Sequence, residues 1–236
     1  MTSAALDVEG VLFDLDGTLF DHDGAAAEAI TGVFPGVDAE SLVPRWTELT
    51  EDAVDRYLAG ELTYTGQRRA RIIALARGLG LGTWDDARAD AWFTGYLPLY
   101  EAAWRPFPDV RPALGALAGR ARLGVITNGD AAQQRAKLER LGLAADLPCL
   151  LASSEAGAAK PAPEIFRAGC AALGTSPGAT AYVGDRLAVD AIGAADAGLR
   201  GVWLDRSGGP APEALPVARI TTLAALPTLL ARPQRP

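Results

Sequence analysis

Short apolar runs alternate with amphipathic segments along most of the chain. Each run ends in turn-forming residues such as Gly, Asn or Asp, which predicts buried strands. The strands are predicted over residues 8–14, 123–126, 148–152, 180–183 and 201–204. Helical patterns follow over residues 110–118, 131–141, 162–173, 188–197 and 221–231. Strands that alternate with helices at this spacing indicate βαβ units. The predicted fold class is therefore α/β, with a Rossmann-like, doubly wound parallel sheet.

The segment 20–105 interrupts this alternation. It carries helical patterns and no convincing strand, and Pro106-Phe107-Pro108 marks the return to the strand pattern. Helices are predicted over residues 25–33, 39–49, 51–59, 64–79 and 84–101. We therefore expect an α/β core domain formed by residues 1–19 and 106–236, with a helical cap domain of residues 20–105 inserted into it.

Composition excludes several classes of function. The net charge of −7 is the wrong sign for a nucleic-acid-binding protein, which normally carries a basic patch. No signal peptide or apolar run of membrane-spanning length is recognisable, so we expect no membrane partner and a cytoplasmic location. Cys149 and Cys170 are too few for a disulfide framework or a cysteine zinc site. The single His22 excludes catalysis that needs two histidines. The oligomeric state is not indicated by the sequence.

Two carboxylates, Asp14 and Asp16, follow the first predicted strand and precede a glycine. Close carboxylates repel one another unless they share a cation or a proton. The pair is therefore a metal site, an acid/base pair or, without chemistry, a polar turn. Thr127 and Asp185 also follow predicted strands directly, and the carboxyl ends of parallel strands meet at one edge of a sheet. Lys160 precedes Pro161 just before a predicted helix.

These residues resemble the motifs of the haloacid dehalogenase (HAD) superfamily. Residues 14–19, Asp-Leu-Asp-Gly-Thr-Leu, match its first motif, Asp-x-Asp-Gly-Thr-Leu. Thr127 resembles the second motif and Lys160 the third. Asp185 and Asp190, preceded by Gly184, resemble the fourth, Gly-Asp-x-x-x-x-Asp. The motifs occur in the family's order and extend over the whole chain.

The resemblance implies roles for the side chains that would contact substrate. Asp14 would be the nucleophile and Asp16 the general acid/base of a phosphatase. The Thr127 hydroxyl and the Asn128 backbone amide would bind the substrate phosphate. Lys160 would screen the negative charges of the nucleophile and the phosphate. Two-step hydrolysis of a phosphomonoester through an aspartyl-phosphate follows from these roles.

The resemblance also implies a magnesium cofactor. Asp14, Asp185 and the Asp16 backbone carbonyl would be its protein ligands, and Asp190 would support the site. Magnesium takes oxygen ligands and would offset the repulsion between a carboxylate nucleophile and a phosphate dianion. The expected partner is a small phosphomonoester such as a sugar phosphate or a nucleoside monophosphate.

Three other functions share this architecture. A 2-haloacid dehalogenase uses the same Asp nucleophile without a metal, but it lacks the second carboxylate of the first motif, so Asp16 argues against it. A sugar phosphomutase and a non-catalytic regulator on the same fold stay open. Within the cap we expect at least one arginine to face the magnesium site and meet the leaving group. The candidates are Arg45, Arg68, Arg69 and Arg71.

Overall fold

The computed structural model describes residues 7–210 and 214–231. The chain divides into two compact units, Met1–Asp21 together with Pro106–Pro236, and His22–Arg105. The sequence places the first boundary two residues earlier, between residues 19 and 20. We refer to the two units below as the core unit and the helical unit.

In the part of the chain that the structure describes, the core unit is built on six parallel strands. They are β1 (Gly10–Phe13), β2 (Arg122–Thr127), β3 (Cys149–Ala152), β4 (Thr180–Gly184), β5 (Arg200–Leu204) and β6 (Ala218–Ile220). Their order across the sheet is β3-β2-β1-β4-β5-β6, and each neighbouring pair is parallel. This confirms the predicted α/β, doubly wound class. It also places β1 at the centre, where Phe13 pairs with Val125 on one side and Val183 on the other.

The helical unit contains four helices. They are α1 (His22–Val33), α2 (Ala39–Leu58), α3 (Tyr64–Gly78) and α4 (Asp86–Ala102). Asp38, Thr63 and Asp85 cap three of their N-termini, each accepting a backbone N–H with its side chain. The prediction of separate helices over 39–49 and 51–59 is wrong. Residues 49–51, Leu-Thr-Glu, include neither Gly nor Pro, so nothing ends the helix there, and α2 also accommodates Pro44.

The sheet of the core unit is covered by helices, as the continuous burial of Val11, Leu12 and Phe13 requires. The helices are α5 (Val110–Leu117), α6 (Ala131–Arg140), α7 (Ser153–Ala156), α8 (Pro163–Leu173), α9 (Gly193–Asp196) and α10 (Leu226–Leu229). On α8, Gly169 allows a close approach to the sheet. A Cβ at this position would lie 2.3 Å from Cδ1 of Ile126.

Further elements of the core unit differ from the predicted pattern, among them the short helix α7, which was not expected. Strand β6 was not expected, because its three residues show too little alternation to be recognised. The predicted helix 188–197 begins as a widened, π-type segment, Leu187–Ile192, and only then continues as α9. The predicted helix 221–231 is shorter, with a 3₁₀ turn over Leu223–Ala225 before α10. Among the described residues, no helix combines the length and apolarity needed to span a membrane.

Candidate active site

The loop after β1 brings the two motif aspartates to the carboxyl edge of the sheet. The Asp14 amide donates to the Val183 carbonyl (2.9 Å), which continues the β1–β4 pairing into the loop. The chain then turns sharply at Gly17, whose φ is 85°. A Cβ at Gly17 would lie 2.4 Å from Oδ2 of Asp185. Glycine is therefore required here for two reasons: the backbone conformation has a positive φ, and the carboxylate of Asp185, directly after β4, leaves no room for a Cβ.

Lys160 lies at the centre of a buried polar cluster. Its Nζ atom donates to Oδ1 of Asp14 (2.5 Å), to Oδ1 of Asp190 (2.6 Å) and to the Tyr182 hydroxyl (2.9 Å). These three acceptors match the three donors of an ammonium group. The Tyr182 hydroxyl in turn donates a hydrogen bond to the Ile126 carbonyl (3.0 Å). A buried charge is tolerated only when it is paired and hydrogen-bonded, and Lys160 meets both conditions.

Negative charge nevertheless exceeds positive charge around Asp14. Burial raises the pKa of Asp14 well above its ordinary value, and the carboxylates of Asp190 and Asp185 raise it further against the opposing effect of Lys160. Burial, followed by the charge of Asp190, raises the pKa of Asp185 to about 6. Burial alone would lower the pKa of Lys160, but Asp14 and Asp190 outweigh it and hold that pKa above its usual range. With three carboxylates and one ammonium, the fully ionised cluster carries an excess of negative charge that a bound cation would offset.

The oxygens of this cluster fit a hard divalent cation. One carboxylate oxygen from each of Asp14, Asp185 and Asp190 lies within 4.8 Å of the others. Oxygen-only donors of this kind suit Mg²⁺ rather than a metal that prefers sulfur or nitrogen. Asp185 is steadied by the Thr18 hydroxyl, which donates to its Oδ1 (3.2 Å).

Asp190 is suited to support the site rather than to bind the cation. Its Oδ1 accepts from Lys160 and lies 3.3 Å from the Tyr182 hydroxyl, and its Oδ2 accepts from the Arg186 backbone amide (3.0 Å). Asp190 is thus bonded through both of its carboxylate oxygens, whereas Asp14 contacts Lys160 through Oδ1 alone. Taken alone, Asp190 reads in the sequence as a surface charge on a helix. The widened segment Leu187–Ile192 instead carries it inward, and it is 1% exposed.

The side chain of Asn128 ties the end of β2 to Lys160. Its Nδ2 donates to the Lys160 carbonyl (3.1 Å), and its Oδ1 accepts the Lys160 backbone amide (2.8 Å). This reciprocal pair fixes the loop that carries Lys160 beside the loop that carries Thr127. The sequence suggested a use only for the Asn128 backbone amide. That the Asn128 backbone amide donates a hydrogen bond to the substrate phosphate stays a prediction.

Asp16 points to a different set of partners. Its Oδ1 lies 2.5 Å from Nζ of Lys137, and its Oδ2 accepts from Nε2 of Gln134 (3.0 Å). Nε2 of Gln134 also lies 3.0 Å from Oγ1 of Thr127. The core unit therefore brings the predicted acid/base residue and the predicted phosphate-binding residue into contact with one amide. A metal role for the Asp16 carbonyl stays a prediction.

Arg206 supports the loop from the side of β5, and sequence reasoning missed it. Its Nη2 donates to the Thr18 carbonyl (2.7 Å) and its Nε to the Gly17 carbonyl (3.3 Å). Two further bonds join it to both carboxylate oxygens of Asp109 (3.0 and 3.1 Å). The guanidinium also stacks on Phe107, with Cζ 3.7 Å from the ring centroid. The Arg206 guanidinium thus holds the backbone around the first motif in place.

The four candidate arginines of the helical unit have two kinds of surroundings. Arg45 pairs with Glu48, and Arg69 pairs with two aspartates of α4, all on exposed surface. Arg68 and Arg71 instead stack on aromatic rings, and Arg71 lies over Trp46 and Phe93. Burial lowers the pKa of Arg71 to about 10. That one of these arginines faces the magnesium site stays a prediction.

Comparison with known proteins agrees with the fold. The haloacid dehalogenase-like hydrolase family matches residues 8–198. Ribulose-1,5-bisphosphate 5-phosphatase of Halopiger xanaduensis is 31% identical over 209 residues, which is 87% of this chain and 85% of that protein. N-acylneuraminate-9-phosphatase of Rattus norvegicus is 36% identical over 125 residues, 52% of this chain and 50% of that protein. The chain thus spans about half the length of several curated relatives it matches.

A solved structure shows the same fold. The structure of the protein YfnB of Bacillus subtilis, determined with bound magnesium, superimposes with a TM-score of 0.80 at 24% identity, covering 94% of this chain and 98% of that one. The family match extends over most of the chain and includes Asp14, Asp16, Thr127, Lys160, Asp185 and Asp190. The chain therefore belongs to the haloacid dehalogenase-like hydrolase family.

Proposed function

We propose that this chain is a magnesium-dependent phosphatase that hydrolyses a small phosphomonoester through an aspartyl-phosphate intermediate. The observation that carries the proposal is the cluster of Asp14, Asp185 and Asp190 around Lys160. The other aspartate of the first motif, Asp16, lies outside this cluster and pairs with Lys137. The matched relatives named above are phosphatases of a sugar bisphosphate and an acylated sugar acid phosphate. Small phosphorylated metabolites are therefore the proposed substrate class.

The first step is assigned to Asp14. Its carboxylate attacks phosphorus, the bond to the leaving oxygen breaks, and an acyl phosphate forms on Asp14. Lys160 keeps one oxygen of Asp14 in place and opposes the repulsion between the carboxylate and the phosphate dianion. Asp14 and Asp185 would hold Mg²⁺. When bound, Mg²⁺ would supply the positive charge that the cluster lacks and screen the phosphoryl oxygens.

Proton transfer is assigned to Asp16. It donates a proton to the leaving oxygen in the first step, and the resulting carboxylate takes a proton from the water that hydrolyses the acyl phosphate. The Thr127 hydroxyl and the Asn128 backbone amide are the proposed phosphate donors. Catalysis of this kind depends mainly on positioning and charge, and the core unit supplies both.

The position of Asp16 also bears on the alternatives. A dehalogenase does not use a second carboxylate here, whereas this chain surrounds Asp16 with two polar side chains of α6. That arrangement favours a reaction with proton transfer. A phosphomutase would use the same groups, and phosphate release separates it from a phosphatase. We further propose that the helical unit acts as a cap that selects the leaving group. The cytoplasmic location stays a prediction.

A panel of phosphomonoesters tests the proposal. The purified chain, freed of metal with a chelator, is assayed for phosphate release with and without added Mg²⁺. We expect release from at least one small phosphorylated metabolite, loss of release in the chelator and recovery with Mg²⁺. The same panel is extended with 2-haloacids, assayed for halide release. Halide release that persists in the chelator, without phosphate release, would contradict the proposal and support a dehalogenase.

A further inference from the structure

Helix α6 buries two polar side chains on the face that packs into the core unit. Ala131, Gln134, Lys137 and Leu138 are its buried positions. Gln134 and Lys137 are three residues apart and so project from the same side of the helix. Lysine and glutamine are seldom buried, because desolvation is unfavourable unless each group finds a partner. Apolar residues would fill this face without that penalty, so the two polar side chains call for an explanation.

Both side chains are directed at Asp16. Lys137 is 6% exposed, and its Nζ lies 2.5 Å from Oδ1 of a carboxylate that is 31% exposed. Gln134 donates to the other oxygen (3.0 Å). The ammonium of Lys137 also lies 4.9 Å from the centroid of the buried Phe20 ring. With one donor on each oxygen, rotation of the carboxylate about its own axis is restrained.

Gln134 further links Asp16 to the end of β2. Its single amide nitrogen donates to Oδ2 of Asp16, lies 3.0 Å from the Thr127 hydroxyl, and reaches the Asn128 carbonyl at 3.3 Å. At Gly129 a Cβ would lie 3.3 Å from this nitrogen, so the glycine leaves room for the amide. One side chain thus sets the separation between the proposed proton-transfer group and the proposed phosphate-binding hydroxyl.

We propose that Lys137 and Gln134 are positioning residues that hold the Asp16 carboxyl beside Thr127, where it can reach the leaving oxygen of the substrate. This inference rests on the proposed phosphatase function. Neither residue is assigned a contact with substrate. Their effect is exerted through Asp16, and displacement of a reacting group by about 1 Å can reduce a rate by about 100-fold.

Substrates with different leaving groups separate this role from a merely structural one. An alkyl phosphate needs a proton on its leaving oxygen, whereas 4-nitrophenyl phosphate departs as a stable phenolate. The quantity measured is kcat/KM, because it reports the first chemical step. Asp16→Asn sets the reference: we expect a loss of about 10²–10⁴-fold for the alkyl phosphate and a small loss for the aryl phosphate.

Lys137→Met is the principal test, and Lys137→Arg is the conservative variant. For Lys137→Met we expect kcat/KM to fall by about 10–100-fold for the alkyl phosphate and by less than about 3-fold for 4-nitrophenyl phosphate. Lys137→Arg should recover part of the alkyl phosphate activity. Adding Lys137→Met to Asp16→Asn should cause no further loss, since both changes act on one group. Arg135→Met, which removes an exposed cation from the same helix, is the matched control and should change neither value.

Several outcomes would overturn the inference. Equal losses for both substrates, or a rise in KM alone, would make Lys137 a structural residue or a substrate contact. Additive losses in the double variant would show that it does not act through Asp16. If Lys137→Met does not fold, Gln134→Met replaces it in the same comparison. A wild-type chain that hydrolyses no phosphomonoester of the panel would overturn the proposed function as well, whereas an active wild type whose Asp16→Asn variant shows the expected selective loss confines the failure to this inference.

Discussion

Two lysine–aspartate pairs lie at the end of β1. They consist of the same two residue types but differ in burial, in their other partners and in the surrounding charge. Lys160 and Asp14 are 4% and 8% exposed, and Lys160 is shared with a second buried carboxylate. Lys137 and Asp16 are 6% and 31% exposed, and the carboxylate also accepts from a neutral amide. The first pair is part of a cluster with an excess of negative charge. The second approaches charge balance and touches solvent.

The difference indicates what each pair can do. A buried cluster short of positive charge gains stability from a bound cation, because screening there by water is weak. A balanced pair at the edge of solvent gains little from a cation and instead restrains geometry. Two aspartates separated by one residue are thereby given different tasks by the elements packed against them. Substitutions in the two pairs should either abolish this difference or enlarge it.

The largest effect is expected from Asp14→Asn. The amide keeps the volume of the side chain but cannot form an acyl phosphate, so kcat should fall by about 10⁴-fold or more. Phosphate release with the best substrate of the panel is the measurement. Circular dichroism and a thermal melt should show a folded protein. A folded variant with normal turnover would remove Asp14 from the role of nucleophile.

Lys160→Met should produce the next largest effect, on stability. Removal of the ammonium leaves Asp14 and Asp190 buried without their cation, and breaking a buried pair in this way costs about 3–5 kcal/mol of unfolding free energy. Urea denaturation in the presence of a chelator measures it. Addition of Mg²⁺ should return part of the lost stability. A loss no greater than that of Lys137→Met would show that the two pairs do not differ.

Asp190→Asn should have an intermediate effect. The amide oxygen still accepts one hydrogen bond, but Lys160 loses its second negative partner and the site becomes less negative. Supporting groups of this kind typically change metal affinity or activity by about 10–100-fold. The dependence of phosphate release on Mg²⁺ concentration is the measurement. An unchanged half-saturating Mg²⁺ concentration together with unchanged kcat would show that Asp190 does not support the site.

The smallest of the four effects is expected for the stability of Lys137→Met. Asp16 is partly exposed, so water can solvate its carboxylate after the lysine is lost, and Met preserves most of the packing against Phe20. The unfolding free energy should change by about 1 kcal/mol or less. Urea denaturation beside Lys160→Met gives a direct comparison. A loss equal to that of Lys160→Met would make Lys137 a structural lysine.

The sequence was informative wherever a residue's position along the chain determined its place. Asp14, Thr127 and Asp185 follow apolar runs, and parallel topology alone brings strand ends together. Side-chain contacts between residues that are distant in sequence cannot be predicted in this way. Tyr182 reads as an ordinary core aromatic of β4, although its hydroxyl lies against Lys160. For the contacts of Asp16, the sequence offers a signal in Gln134 and Lys137, because two polar residues occupy inward positions of an amphipathic helix.

The misses in secondary structure have similar causes. Strand β6 depends on pairing with β5, which its three residues do not encode locally. In the widened segment Leu187–Ile192, the side chain of Asp190 bonds inward to Lys160 and to the Arg186 amide, contacts that local sequence does not encode. Both are tertiary effects. Local propensity therefore predicted most of the helices and strands of the core unit, but not the details that place polar atoms.

The ends of the inserted segment are joined within the core unit itself. Phe20 forms an antiparallel bridge with Pro106, and the Phe107 amide donates to the Leu19 carbonyl (3.2 Å). Arg206 then connects Asp109, just after the return, to the Gly17 and Thr18 carbonyls just before the departure. The host fold holds the exit and the entry side by side, and the entropy of closing a flexible segment between two fixed ends rises only logarithmically with its length, by about 0.6 kcal/mol for each doubling. We therefore expect the core unit to tolerate a shorter, longer or unrelated segment in place of residues 22–105, because the contacts that join the two ends of the insertion come from residues outside it.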